Sequence, residues 1–143
     1  MVKKIGLVPF FALVFVAVGC STVEKSDEDT SKNMAGCWYG ESYQPALKGM
    51  SAWLINRHFD GDFSVEFRTL NSGSLIQFEK GTWSVDSGVY STITTEVSGR
   101  IIEPPYRDEY KVQLLTENEM ILLHERMEKQ FESERVSCDY DMP

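Results

Sequence analysis

Residues 52–68 read Ala-Trp-Leu-Ile-Asn-Arg-His-Phe-Asp-Gly-Asp-Phe-Ser-Val-Glu-Phe-Arg. Trp53, Ile55, Arg57 and Phe59 share one parity, and Phe63, Val65 and Phe67 alternate with Ser64, Glu66 and Arg68. A period of two puts each set on one face of a strand. Between the two runs, Asp60-Gly61-Asp62 is a hairpin signal, so the stretch reads as two antiparallel strands.

The same grammar continues in both directions. Leu75 to Val85 is a longer run in which Ile76 and Phe78 take one parity and Trp83 and Val85 the other, which predicts a bulge at Gly81. Asp86-Ser87-Gly88 turns the chain into Val89–Val97, where Val89, Ile93 and Val97 alternate with Tyr90, Thr92 and Thr94. Residues 98–105 read as a loop because Pro104-Pro105 disfavours regular sheet. Tyr106–Leu115 presents Tyr110, Val112 and Leu114 on one side, and Thr116-Glu117-Asn118-Glu119 is the next turn. Met120–Arg126 and Phe131–Val136 follow, and Cys37–Tyr43 opens the series, with Pro45 and Gly49 in the one longer early connection. Eight sequential antiparallel strands suit an all-β, up-and-down barrel, which leaves no open sheet edge.

Before the strands the composition changes. Residues 1–19 carry Lys3 and Lys4, then an apolar run from Ile5 to Val18, the layout of a signal peptide; the run is short for a membrane span and a polar stretch follows at once. Ala17-Val18-Gly19-Cys20 resembles the lipobox of bacterial lipoproteins. That resemblance implies cleavage before Cys20, lipidation of its sulfur with further acylation of the new amino group, and, from Ser21, sorting to the outer membrane facing the periplasm of a Gram-negative envelope. Several acyl chains give stable anchoring where one is marginal. From Cys20 to Met34 the chain is almost wholly polar, and it is expected to be a flexible tether spanning roughly 20 Å. The folded domain is then residues 35–143.

Lipidation of Cys20 leaves Cys37 and Cys138, an even pair in a compartment that permits disulfides. Two free buried thiols are the other reading. Barrel closure sets the last strand antiparallel to the first, and one register nearly accommodates both Cys37 with Cys138 and Trp38 with Arg135. Gly36-Cys37-Trp38, with Arg135 near the end of the last strand, resembles the Gly-x-Trp and cross-packed arginine of the lipocalins and the wider calycin superfamily. Gly81-Thr82-Trp83-Ser84-Val85 is similar to a motif of small bacterial lipocalin-like domains. The chain departs from the larger lipocalins in its length and in lacking a long C-terminal helix. An arginine plane over an indole is also a structural pairing in its own right.

With Trp38 inward, the interior is expected to carry Trp53, Ile55, Phe63, Val65, Phe67, Ile76, Phe78, Trp83, Tyr110, Val112, Leu114 and Phe131, with Arg57 on the same face as Trp53 and Ile55. This set suits a site for a lipid, a fatty acid or another hydrophobic small molecule, with Arg57 placed to meet a carboxylate. It equally suits a filled barrel that serves as a structural or interaction module, enzyme inhibitors included, since eight strands leave an interior just wide enough for side chains. A formal charge of −8 over 143 residues argues against nucleic acid as a partner. No cofactor or metal is expected: Asp60-Gly61-Asp62 lacks the further oxygen ligands of a calcium loop. Catalysis is not expected either. Gly49-Met50-Ser51-Ala52 lacks the second glycine of a nucleophile elbow, and His58 and His124 read as surface residues on separate strands.

Overall fold

The computed structural model describes residues 25–143; the expected signal segment and Cys20 lie outside them. Within the described residues a helix, α1 (Asp27–Met34), precedes eight strands: β1 (Gly36–Gln44), β2 (Gly49–Arg57), β3 (Asp62–Thr69), β4 (Leu75–Asp86), β5 (Val89–Val97), β6 (Arg100–Leu115), β7 (Glu119–His124) and β8 (Lys129–Val136). Each strand pairs antiparallel with the next, and β8 returns to β1, closing the barrel. The turns therefore fall alternately at two ends. The β1–β2, β3–β4, β5–β6 and β7–β8 turns surround one end, called here the mouth, and the other three lie at the end where α1 enters.

Helix α1 corrects the expectation of a tether reaching Met34. Ser26 caps it by accepting from the Asp29 N–H, three acids occupy the first turn, and Glu28 pairs with Lys32 one turn on. These local terms are each worth only tenths of a kcal/mol to about 1 kcal/mol, too little to hold eight residues. Tertiary contacts supply the rest. Met34 is fully buried in the core, the Asp27 carboxylate accepts from the N–H groups of Ser87 and Gly88 in the β4–β5 turn, and the Trp38 indole N–H donates to the Met34 carbonyl. Composition alone hid this, because only Thr30 and Met34 of α1 are buried.

Closure runs through Trp38 and Arg135, which face each other across β1 and β8. The Arg135 guanidinium lies 4.3 Å from the centroid of the Trp38 ring and donates to the carbonyls of Asn33, Ala35 and Glu117. It thus ties α1, β1, β8 and the β6–β7 turn into one floor. Gly36 stands at φ +105°, and a Cβ there would lie 2.8 Å from Arg135 Nη1, so the residue before Cys37 must leave that space empty. The ladder pairs Cys37 with Val136, and the Cys37–Cys138 disulfide forms just beyond the end of β8. It pins the C-terminal tail against the outside of β1 and β2, where Tyr140 stacks on Tyr39 and Met142 is buried beside Ala52.

Three strand assignments change. Ile76 and Phe78 lie on the outer face of β4, because Gln77, Glu79 and Gly81 pair with the inward Phe67, Val65 and Phe63. The register shift beside Gly81 inserts its extra residue, Thr95, on β5, so β4 keeps one parity from Gln77 to Val85. In β6 a shift at Gln113 turns Leu114 outward and Leu115 inward. Pro104 and Pro105 fall within β6 rather than in a loop. They are tolerated because this stretch of β6 has no ladder to β7, which pairs only from Lys111 onward.

Candidate functional site

The interior splits into a filled lower part and an open upper part. Near the floor Trp38, Met34, Trp83 and Met120 pack together, and the Trp83 indole N–H donates to the His58 carbonyl. Trp53 folds across Gly40, where an added Cβ would meet its ring at 2.2 Å, and its edge meets Phe131 at 5.8 Å between centroids. Above and beside them remains a cavity of about 250 Å³. Trp53, Ile55, Phe63, Val65, Phe67, Tyr110, Leu122 and Phe131 form its apolar wall.

Of the residues singled out from the sequence, Trp53, Ile55, Arg57, Phe63, Phe67 and Tyr110 line this cavity. Trp83 belongs to the floor. Phe78 does not reach the cavity: it stands on the outer wall beneath Lys80, whose ammonium lies 5.5 Å from its ring. Trp38 and Arg135 close the base.

Arg57, the last residue of β2, is 3% exposed and lies deep in the barrel. Its Nε donates to the Tyr90 hydroxyl at 2.9 Å, and its guanidinium sits 4.6 Å from the centroid of the Tyr90 ring. Its Nη1 is buried with no partner. Arginine does not discharge under any ordinary condition, and an uncompensated buried ion costs several kcal/mol. Neither acid of the cavity relieves it. Asp108 is engaged with His124 and Arg126 at 3.1 and 3.3 Å, and Glu79 accepts from Gln77 and from Thr94. The tyrosines around Arg57 are held neutral. Burial raises the Tyr90 phenol above its ordinary value, against the opposing pull of Arg57, and burial raises Tyr110 as well, with Asp108 adding to the shift. Tyr106, nearer the mouth, is pushed up to about 12, chiefly by burial. A guanidinium with a free N–H and a neutral phenol beside it are the groups an anion would meet at the bottom of this cavity, which has an aromatic wall on one side and Thr92, Thr94, Glu79 and Asp108 on the other.

Tyr90, Thr92 and Thr94 line the cavity from β5 and were not singled out. Their placement follows from Trp83. Ser87 and Gly88, at φ 53° and 74°, make a two-residue hairpin turn that pairs Val85 with Tyr90 and Trp83 with Thr92. An inward Trp83 therefore brings Tyr90 inward. His124 is also buried, which corrects its reading as a surface residue. It follows Leu122 on the inner parity of β7, its Nε2 meets Asp108, its Nδ1 accepts from the Met127 N–H, and its ring stands edge-on to Tyr110 at 5.0 Å. Asp108 bridging to His124 and Arg126 seals the wall where β6 and β7 have no ladder. Outside that seal lies a larger depression of about 800 Å³, lined mainly by charged residues such as Arg107, Glu109, Lys111, Glu125 and Arg126. Its polar groups are solvated or paired, and none poses the unmet demand that Arg57 does.

No protein-family model matches the chain, and no curated protein of similar sequence was found.

Proposed function

We propose that the barrel binds a small hydrophobic molecule with an anionic head, of fatty-acid type, with its carboxylate on Arg57 and its tail along the aromatic wall. The single observation that carries this reading is the buried Arg57 Nη1 without a partner, at the base of a cavity of about 250 Å³. A cavity of about 150 Å³ lined by apolar side chains accepts benzene, so the volume suits one ring or a medium-length chain and not a whole phospholipid. The lipobox-like Ala17–Cys20 and the Trp38–Arg135 floor support reading the chain as a lipid-anchored, lipocalin-like protein of the outer membrane facing the periplasm. A filled barrel acting as a protein-interaction module is the second reading. It is favoured by how much of the interior Trp38, Trp53 and Trp83 already occupy.

Calorimetric titration with decanoate and with decanol separates the two. Decanoate is expected to bind at least tenfold more tightly than the alcohol, a difference of about 1.4 kcal/mol, and Arg57→Met is expected to erase that preference. No binding of either would favour the interaction module, and equal affinities would remove the carboxylate-binding role of Arg57. The anchor has its own test: wild-type chain is expected to take up labelled palmitate, and Cys20→Ser to take up none.

A further inference from the structure

The two ends of the barrel differ in chemistry. Each of the four turns at the mouth carries an exposed large apolar side chain on it or within two residues of it: Leu47 (46% exposed), Leu75 (61%), Ile101 (71%) and Met127 (52%), with Tyr43 and Met50 beside the first. Cations stand among them. Lys48, Arg100, Arg126 and Lys129 flank these turns, Arg126 also pairing with Asp108, against Glu96 beside Ile101, Glu125 and Glu128. The closed end is acidic: Asp27, Glu28 and Asp29 of α1, Asp60 and Asp62, Asp86, Glu117 and Glu119 outnumber Lys25, Lys32, Lys80, which is paired with Glu96, and the internally engaged Arg135. Phe59 is exposed there as well, but between acids rather than cations. A chain of net charge −8 thus surrounds its opening with apolar tips and nearly balanced charge and concentrates acids at the closed end.

We infer that the mouth docks on an anionic lipid bilayer, with the apolar turn tips entering the headgroup boundary and the flanking cations meeting lipid phosphates. The distribution of the apolar groups favours a bilayer over a protein. They come singly on four separated turns around an opening, with no continuous stripe for a helix to lie along, and the open β6 edge that carries Ile101 is interrupted by Pro104 and Pro105, which cannot donate to an added strand. A lipid surface accepts such scattered tips because it has no fixed shape. The charge asymmetry sets the orientation, since an anionic surface attracts basic groups by about 1 kcal/mol each close to the surface and repels the acidic end. Docking in this orientation opens the Arg57 cavity directly onto the lipid phase. The inference concerns the outer rim and stands whether or not the cavity takes a ligand.

Hydrogen exchange read by mass spectrometry tests it on the full chain, mixed with vesicles of phosphatidylglycerol or of phosphatidylcholine. With phosphatidylglycerol, exchange is expected to slow several-fold at residues 45–48, 98–99 and 125–128 and to stay unchanged at 58–61, with a weaker effect on phosphatidylcholine. The exposed-site variant Leu47→Ser/Ile101→Ser/Met127→Ser is expected to lose the protection, and Phe59→Ser to keep it. Three outcomes would overturn the inference: protection confined to 58–61, protection that survives the triple variant, or protection that appears without vesicles and grows with protein concentration, which would mark the rim as a contact between copies.

Discussion

Arg57 is a permanent cation placed where water is scarce, and the fold gains little from it. Its hydrogen bond and cation–π contact both go to Tyr90, and one nitrogen meets nothing. Replacing a buried ion by an apolar side chain of similar volume is often neutral or stabilising by about 1 to 4 kcal/mol. Arg57→Met is therefore expected to leave urea stability unchanged or raised by about 1 kcal/mol while removing carboxylate binding; a large loss of stability would assign Arg57 to the scaffold instead. Gly40 behaves in the opposite way. A methyl group there meets both the Trp53 ring and the Glu132 carbonyl, so Gly40→Ala is expected to destabilise by about 3 kcal/mol in the same assay. At this scale the sequence was partly readable. Parity placed Arg57 with Trp53 and Ile55, but no pattern in one strand says whether a neighbouring acid will neutralise an inward cation.

Helix α1 and the hairpins it caps show where local patterns fail. The alternation around Asp60-Gly61-Asp62 placed β2 and β3 because burial on one face and a tight turn agree there, except that β2 stops at Arg57 and Phe59, expected on the face of Trp53 and Ile55, lies exposed in the turn. Phe78 and Leu114 were misplaced because a register shift moves the extra residue to a neighbouring strand or reverses parity midway, and both depend on pairing partners that a single run does not reveal. His124 was missed for the same reason: the inward parity of β7 is set by Leu122 facing Phe131. The polar α1 is held mainly from outside itself, through Met34, Asp27 and Arg135. Arg135→Ala is expected to cost about 2 to 4 kcal/mol, since it removes charged donors from several carbonyls. It is also expected to speed amide exchange in residues 27–34 before it affects β3 or β4. Uniform loss across the barrel would show instead that the floor and the walls unfold as one unit.

Across the whole molecule, the disulfide and the buried phenols set the limits of stability. Cys37 and Cys138 are 101 residues apart, and closing a loop of that length removes chain entropy worth about 4 to 5 kcal/mol. The Cys37→Ser/Cys138→Ser double variant is expected to lose about 4 kcal/mol in urea unfolding, and also to release the tail that covers Tyr39 and Ala52. Tyr90, Tyr106 and Tyr110 have phenol values raised in the folded state, Tyr106 to about 12. Above about pH 10 the unfolded chain sheds protons that the native state keeps. The contribution of these groups is thus fully present below pH 10 and is lost as pH rises through the folded values, so the urea midpoint is expected to fall steadily above that pH. The strand count and closure were legible because eight alternating runs with short connections leave few other arrangements. What fills the barrel was not, because volume depends on how Trp53 folds over Gly40 and Leu122 meets Phe131 in three dimensions. A crystal structure with bound decanoate tests most directly whether Arg57 and Tyr90 receive an anion at the base of that space. The carboxylate is expected within hydrogen-bonding distance of Arg57 Nη1 and the Tyr90 hydroxyl, with the tail against Trp53 and Phe67; a head group at the mouth beside Gln44, or a molecule bound only outside the barrel, would contradict it.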